Sequence, residues 1–148
     1  MGKTIIAGFV AGCVAVLAFH QGTAFLLHHF GNGVPAVTGL FGTTQAPFRL
    51  VPVPPLGVPA VVSVAFWGGV WGIALALILR RAAVPDLLFG FVFGAVVTTL
   101  VAFTVVASLK GLPLFAGGNK ITWWCAGLLD GAWGWGTALL LRAWPRQG

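Results

Sequence analysis

The sequence is organised by four long apolar stretches, residues 4–30, 58–79, 86–109 and 121–142. Each holds at least 22 residues, which as a helix is about 33 Å, enough to cross a hydrocarbon core of about 30 Å. None alternates polar and apolar residues in the ten-residue segments of a membrane β-barrel, and none carries the polar stripe of a soluble amphipathic helix. Helices that satisfy their own backbone hydrogen bonds are the physical solution for such runs in lipid. The expectation is an all-α membrane protein, a single domain over residues 1–148 built as a four-transmembrane-helix bundle. Residues 31–57 form a Gly/Pro-rich loop.

Local signals sit at the predicted ends. Pro59 suits the first turn of the second helix, where a missing N–H costs nothing. Asp86 follows Pro85 and suits the start of the third helix, and Lys110 and Arg142 suit helix C-termini. Trp123, Trp124 and Trp144 lie where an interfacial aromatic belt is expected. The first stretch opens like a signal peptide, with Lys3 before an apolar core. It runs on to Phe30 without an A-x-A site and reads as an uncleaved helix. The loop carries five prolines (Pro35, Pro47, Pro52, Pro54 and Pro55), and Pro59 follows just after it. Its apolar Phe48, Leu50, Val51 and Val53 predict a semi-rigid segment lying over the bundle rather than a free aqueous linker.

Only 7% of the residues are charged and 59% are hydrophobic, against about 25% charged in a soluble domain. The net charge of +6 does not indicate nucleic acid, because the cations stand singly or in pairs at the ends of apolar runs. With the N-terminus in the cytoplasm, Lys3, Arg80, Arg81, Arg142 and Arg146 lie inside, and Arg49, Lys110 and Lys120 outside. The excess of inner cations predicts both termini on the cytoplasmic side. Cys13 and Cys125 fall in different runs toward opposite sides, so no disulfide is expected.

The second and fourth stretches share a pattern. Gly69-Val70-Trp71-Gly72 aligns with Gly131-Ala132-Trp133-Gly134 and Leu79-Arg80 with Leu141-Arg142, at a constant offset of 62 with seven identities in twelve positions. Gly8-Phe9-Val10 and Gly12 are echoed by Gly90-Phe91-Val92 and Gly94. A duplicated helical hairpin is the favoured reading, with both copies oriented alike. Gly8 and Gly12, Gly68 and Gly72, Gly90 and Gly94, and Gly127 and Gly131 are each four apart, a spacing that lets helix backbones approach closely in lipid. Trp71 and Trp133 are expected to fill space opposite these glycines.

The candidate chemistry is sparse. Asp130 lies about 14 Å into the fourth helix, near mid-membrane. A carboxylate there is costly unless it is protonated, paired or wet. His20 and Gln21 are the other deep polar residues, and depth alone makes His20 a candidate partner of Asp130. His28 and His29 fall at the outer interface. No set of three metal ligands, nucleophile triad, phosphate loop or cofactor-attachment motif is present, so neither a metal, a cofactor nor an enzymatic activity is expected.

The stretches Ile5-Ile6-Ala7-Gly8 with Phe19-His20-Gln21-Gly22, Val53-Pro54-Pro55 leading to Phe66-Trp67-Gly68-Gly69, and Gly131-Ala132-Trp133-Gly134 resemble those of small, uncharacterised four-helix inner-membrane proteins of bacteria. The resemblance implies a multi-pass plasma-membrane location and supplies no activity. Two functional classes follow from the residues. The first is a non-catalytic subunit or assembly partner in a membrane complex, or a self-associating bundle, supported by the glycine faces and short loops. The second is a small transporter or proton-coupled permease acting as an oligomer, supported by the duplication and by Asp130.

Overall fold

The computed structural model describes residues 1–144; Arg146, assigned above to the inner side, lies outside the described residues. Among the described residues 78% are helical, in five helices. Helix α1 runs over residues 2–29, as α-helical Gly2–Ala15, a wider π-type turn Val16–His20, and α-helical Gln21–His29. Helix α2 is the short Pro35–Phe41, with its proline at the N-terminus. Helix α3 spans Ala60–Arg81. Helix α4 spans Asp86–Leu109 and widens into π-type turns at Phe93–Thr98 and Ala102–Val106. Helix α5 spans Lys120–Ala143.

Three of these helices, Gly2–Gly33 (α1 with its following turn), α3 and α4, are long and apolar enough to cross a membrane. Helix α5, at 24 residues, is also long enough, but its glycines, its tryptophans and Asp130 lower its hydropathy.

The predicted ends differ in detail from those observed. Pro59 stands just before α3 as its N-cap residue. Asp86 opens α4 behind Pro85, and its carboxylate faces Arg142, 3.4 Å from Nε. Asn119 caps α5 by accepting from the Ile121 and Thr122 N–H groups.

The packing is inverted relative to a soluble protein. Small residues fill the interior: Ala7, Ala11, Ala15, Ala24, Ala76 and Ala138 are buried around a core of Val16, Leu75, Phe93 and Trp133. Large apolar side chains such as Leu17, Trp67, Leu88 and Leu100 face outward. Helix α1 packs along α3, and α4 along α5.

The two pairs make matching contacts. A Cβ on Gly8 would meet the Gly72 carbonyl and Ala76, and one on Gly12 the Gly68 carbonyl. In the other pair, a Cβ on Gly90 would meet the Gly134 carbonyl and Ala138, and one on Gly94 the Asp130 carbonyl. The Phe9 ring lies on Gly69 as Phe91 lies on Gly131. Arg80 donates to the Thr4 hydroxyl at 2.6 Å, and Arg142 approaches Asp86 in the same relative place. Every one of these correspondences keeps the offsets of 82 for α1 to α4 and 62 for α3 to α5.

The pairs are joined by their tryptophans. Trp133 is buried and its indole N–H donates to the Gly12 carbonyl of α1 at 3.1 Å. Trp71 of α3 sets its ring edge-on against Phe93 of α4, 6.0 Å between centroids. Trp133 fills space beside Gly68, and each ring reaches from its own pair into the other.

The segment between α1 and α3 is ordered by local bonds. The His28 Nδ1–H donates to the Thr44 carbonyl at 2.8 Å, and Asn32 exchanges two 2.9 Å bonds with the Thr44 backbone. Gly42, with φ +72°, lies against Ile121 at the start of α5. Val53 pairs with Val58 and Pro52 with Pro59 in a two-residue antiparallel ladder (β1, Pro52–Val53; β2, Val58–Pro59).

Between α4 and α5 the chain turns through Phe115 and Ala116, both in the left-handed region at φ +51°. A Cβ-bearing residue there costs about 1–2 kcal/mol relative to glycine. Replacing Ala116 by Gly is therefore expected to raise stability by roughly 1 kcal/mol, measured as an increased melting temperature in detergent. An unchanged or lowered melting temperature contradicts the turn geometry.

Candidate functional site

The deep polar residues singled out by depth meet in space. His20 ends the π-type turn of α1, and Asp130 lies midway along α5, about 15 Å from the start of that helix. His20 Nε2 stands 3.6 Å from Asp130 Oδ1. That distance is inside ion-pair range and beyond a direct hydrogen bond, so a shift of about half an ångström or a bridging water would join the two groups. Both side chains are mostly buried, His20 at 17% and Asp130 at 24% exposure.

Thr99 of α4 completes the site, and sequence reasoning missed it. Its hydroxyl donates to Asp130 Oδ2 at 2.9 Å, with the Gly94 carbonyl 3.3 Å away. A threonine hydroxyl both donates and accepts. It can give its hydrogen to an ionised Asp130, or accept from a protonated one while turning its own hydrogen to Gly94. Thr99 thus keeps Asp130 bonded in either protonation state. The available signal was its place, 13 residues into a helix whose other residues around it are almost all apolar. Thr99 follows the π-type turn of α4 directly, as His20 closes that of α1. Such turns shift the helical register and re-aim the side chains beside them.

Gln21 sets the state of the histidine. The Phe48 backbone N–H can only donate, and it lies 2.7 Å from Gln21 Oε1. The Gln21 amide oxygen is thereby fixed toward Phe48 and its NH2 toward His20 Nδ1, at 3.1 Å. His20 Nδ1 must then accept, which places the hydrogen of the neutral ring on Nε2, facing Asp130. Phe48 holds this position with a left-handed backbone, φ +54°, an uncommon conformation for a residue with a Cβ. Gln21→Leu is expected to release the preference, so that the neutral His20 ring populates both tautomers. The 15N shifts of its two ring nitrogens measure this, and an unchanged pattern rules the constraint out.

The result is a polar series running from the backbone of the 31–57 segment through Gln21 and His20 to Asp130 and Thr99. Toward the other end of the molecule the interior closes. Trp133, Thr137 and Ala138 are buried within about two turns of α5 beyond Asp130, and Leu75 of α3 is buried in the same core.

His28 and His29 stand apart from this series, His28 on the loop and His29 against Phe25. Among the described residues no three or more His, Cys, Asp or Glu side chains gather as metal ligands. Cys13 and Cys125 are unpaired thiols. Of the glycines predicted for helix packing, Gly8, Gly12, Gly68, Gly72, Gly90, Gly94 and Gly131 face other parts of this chain at close range, and Gly127 has only the Ala95 carbonyl near it, at 3.7 Å from a built Cβ.

Comparison with protein-family models, with curated proteins and with solved structures finds no match for this chain.

Proposed function

We propose that the chain is a four-span integral membrane protein made of two like helical hairpins, and that it binds a proton between His20 and Asp130 as part of proton-coupled transport. The single observation that carries this reading is the His20–Asp130–Thr99 cluster, assembled from three helices in a chain with almost no other interior polarity. With one proton held by the pair, on the imidazole or on the carboxylate, the two groups together would be electrically neutral. Neutrality lowers the desolvation cost of holding ionisable groups in a low-dielectric interior.

Lipid as solvent is supported by the inverted packing, small residues inside and large apolar ones outside. The duplicated hairpin is supported by the matching contacts at constant offsets. The inner-membrane placement, with both termini in the cytoplasm, rests on the loop charges. The alternative, an assembly subunit held by glycine faces, loses its main support because seven of the eight glycines already meet partners within the chain.

The proton path follows from the placement of polar groups. Gln21 and the Phe48 backbone lead from the loop side to His20, and the buried layer around Leu75 and Trp133 blocks continuous passage beyond Asp130. Protonating His20 at Nδ1 would set two donors against each other at Gln21, so occupancy of the site acts on the loop through the Phe48 bond. The purified chain in vesicles containing a pH indicator tests the reading. Dissipation of an imposed pH gradient faster than in empty vesicles, with or without a co-substrate, is the expected result. A rate equal to that of empty vesicles across a panel of ionic and neutral solutes would sink it.

A further inference from the structure

At the end of the molecule that carries Lys3, residues of both helix pairs line a cavity of about 1110 Å³. Its rim holds Lys3, Arg80 and Arg142, with Asp86 as the one acidic side chain among the described residues that line it. Its walls are apolar, formed chiefly by Ile6, Leu79 and Leu141, with Trp144 at the edge. Three cations against one carboxylate make a site of net positive charge at the mouth of a greasy cleft.

The two arginines are pre-positioned. Arg80 is held by one bond to Thr4, and Arg142 is steered by Asp86 in the equivalent place of the other pair. A guanidinium carries five N–H donors, so a single bond to a neighbour leaves donors for an anion.

We propose that this cavity binds the phosphate headgroup of an anionic phospholipid, with the acyl chains lying along the Ile6, Leu79 and Leu141 walls. A free phosphate would use the cations and leave the apolar cleft unfilled. A zwitterionic lipid would fill the cleft and present a compensating positive charge to the arginines. Only an anionic amphiphile matches both halves. Trp144 at the rim suits the boundary between headgroup and chain. The inference rests on the membrane reading and is independent of the proton site.

The test uses the full chain purified in a mild, uncharged detergent. Retention of added lipid is read by native mass spectrometry and by the melting temperature. Phosphatidylglycerol is expected to be retained about tenfold more than phosphatidylcholine and to raise the melting temperature. Arg80→Gln and Arg142→Gln should each reduce that preference by about fivefold, the effect of one cation beside an anionic headgroup. Arg142→Lys keeps the charge and serves as the variant that folds if Arg142→Gln does not; it should retain most of the preference. Lys110→Gln and Lys120→Gln, at the opposite end, should leave it unchanged.

Equal retention of the two lipids overturns the proposal. So does a preference that survives both arginine substitutions, or one that moves equally with Lys110 and Lys120. Inorganic phosphate alone stabilising the chain as much as phosphatidylglycerol would replace the lipid site with a free-anion site. Failure of the membrane reading is seen separately: the chain would then stay monomeric in buffer without detergent, before any lipid is added.

Discussion

A Gly134→Val chain is expected to lose the packing of α4 on α5 and with it the fold. The Cβ of any residue at 134 would land on the Gly90 carbonyl, with the Gly90 carbonyl carbon at 2.9 Å and the Gly94 nitrogen at 3.2 Å. All three are backbone atoms of a helix and cannot move aside as a side-chain tip would. Overpacking of a close interior usually costs about 1–3 kcal/mol, and an obstruction between two backbones belongs at or above the top of that range. Valine adds two methyl groups to the clash.

The control is Gly22→Ala. Nothing lies within 4 Å of its built Cβ, and alanine is favoured over glycine in a helix by about 1 kcal/mol. Thermal unfolding in detergent should therefore separate the two substitutions in opposite directions. If Gly134→Val melts with the parent chain, the seam between α4 and α5 is not as described.

The second large effect concerns activity and leaves the fold intact. Asp130→Asn preserves the shape of the side chain and can still accept from Thr99, so its stability should change by less than about 1 kcal/mol. It cannot take or release a proton. Proton flux through the reconstituted chain is expected to fall by at least roughly a hundredfold, the scale on which removal of a proton-carrying group acts. Thr99→Val should slow flux by a smaller factor, because it removes the support of Asp130 and not the carboxyl. Full flux in the Asp130→Asn protein would exclude Asp130 as the proton carrier and reduce its pairing with His20 to structural glue.

The helices were legible because their apolar runs are long and uninterrupted, and the observed limits differ from the expected ones by only a few residues. The glycine spacing also pointed to seams, since a gap of four places both residues on one helix face. What the linear pattern could not convey was which seams meet. Gly8 and Gly72 approach one another across 64 positions of chain, and nothing local encodes that choice.

The candidate site was legible in part. His20 and Asp130 stood out because charge is rare in these runs, and Gln21 because it adjoins His20. Thr99 did not, since a single threonine in a helix commonly bonds to its own preceding turn, as Thr98 does to Gly94 at 2.7 Å. The π-type turns that re-aim His20 and Thr99 carry no marker in composition. The bond from Phe48 to Gln21 was equally hidden, because it involves a backbone group and spans 27 positions. The loop was expected to lie over the helices; its hold on Gln21 ties it to their interior chemistry.

The tight seams decide which parts of the molecule can yield. Within each helix pair, backbone rests on backbone, and sliding one helix past the other would drive carbonyls into Cα atoms. Between the pairs, contact is made by deformable side chains, with the Trp133 and Trp71 rings as pins. A rocking of the two pairs about those rings would meet less backbone obstruction than sliding within either pair. His20 lies in one pair and Asp130 in the other, so a displacement of that kind would change the 3.6 Å gap between imidazole and carboxylate.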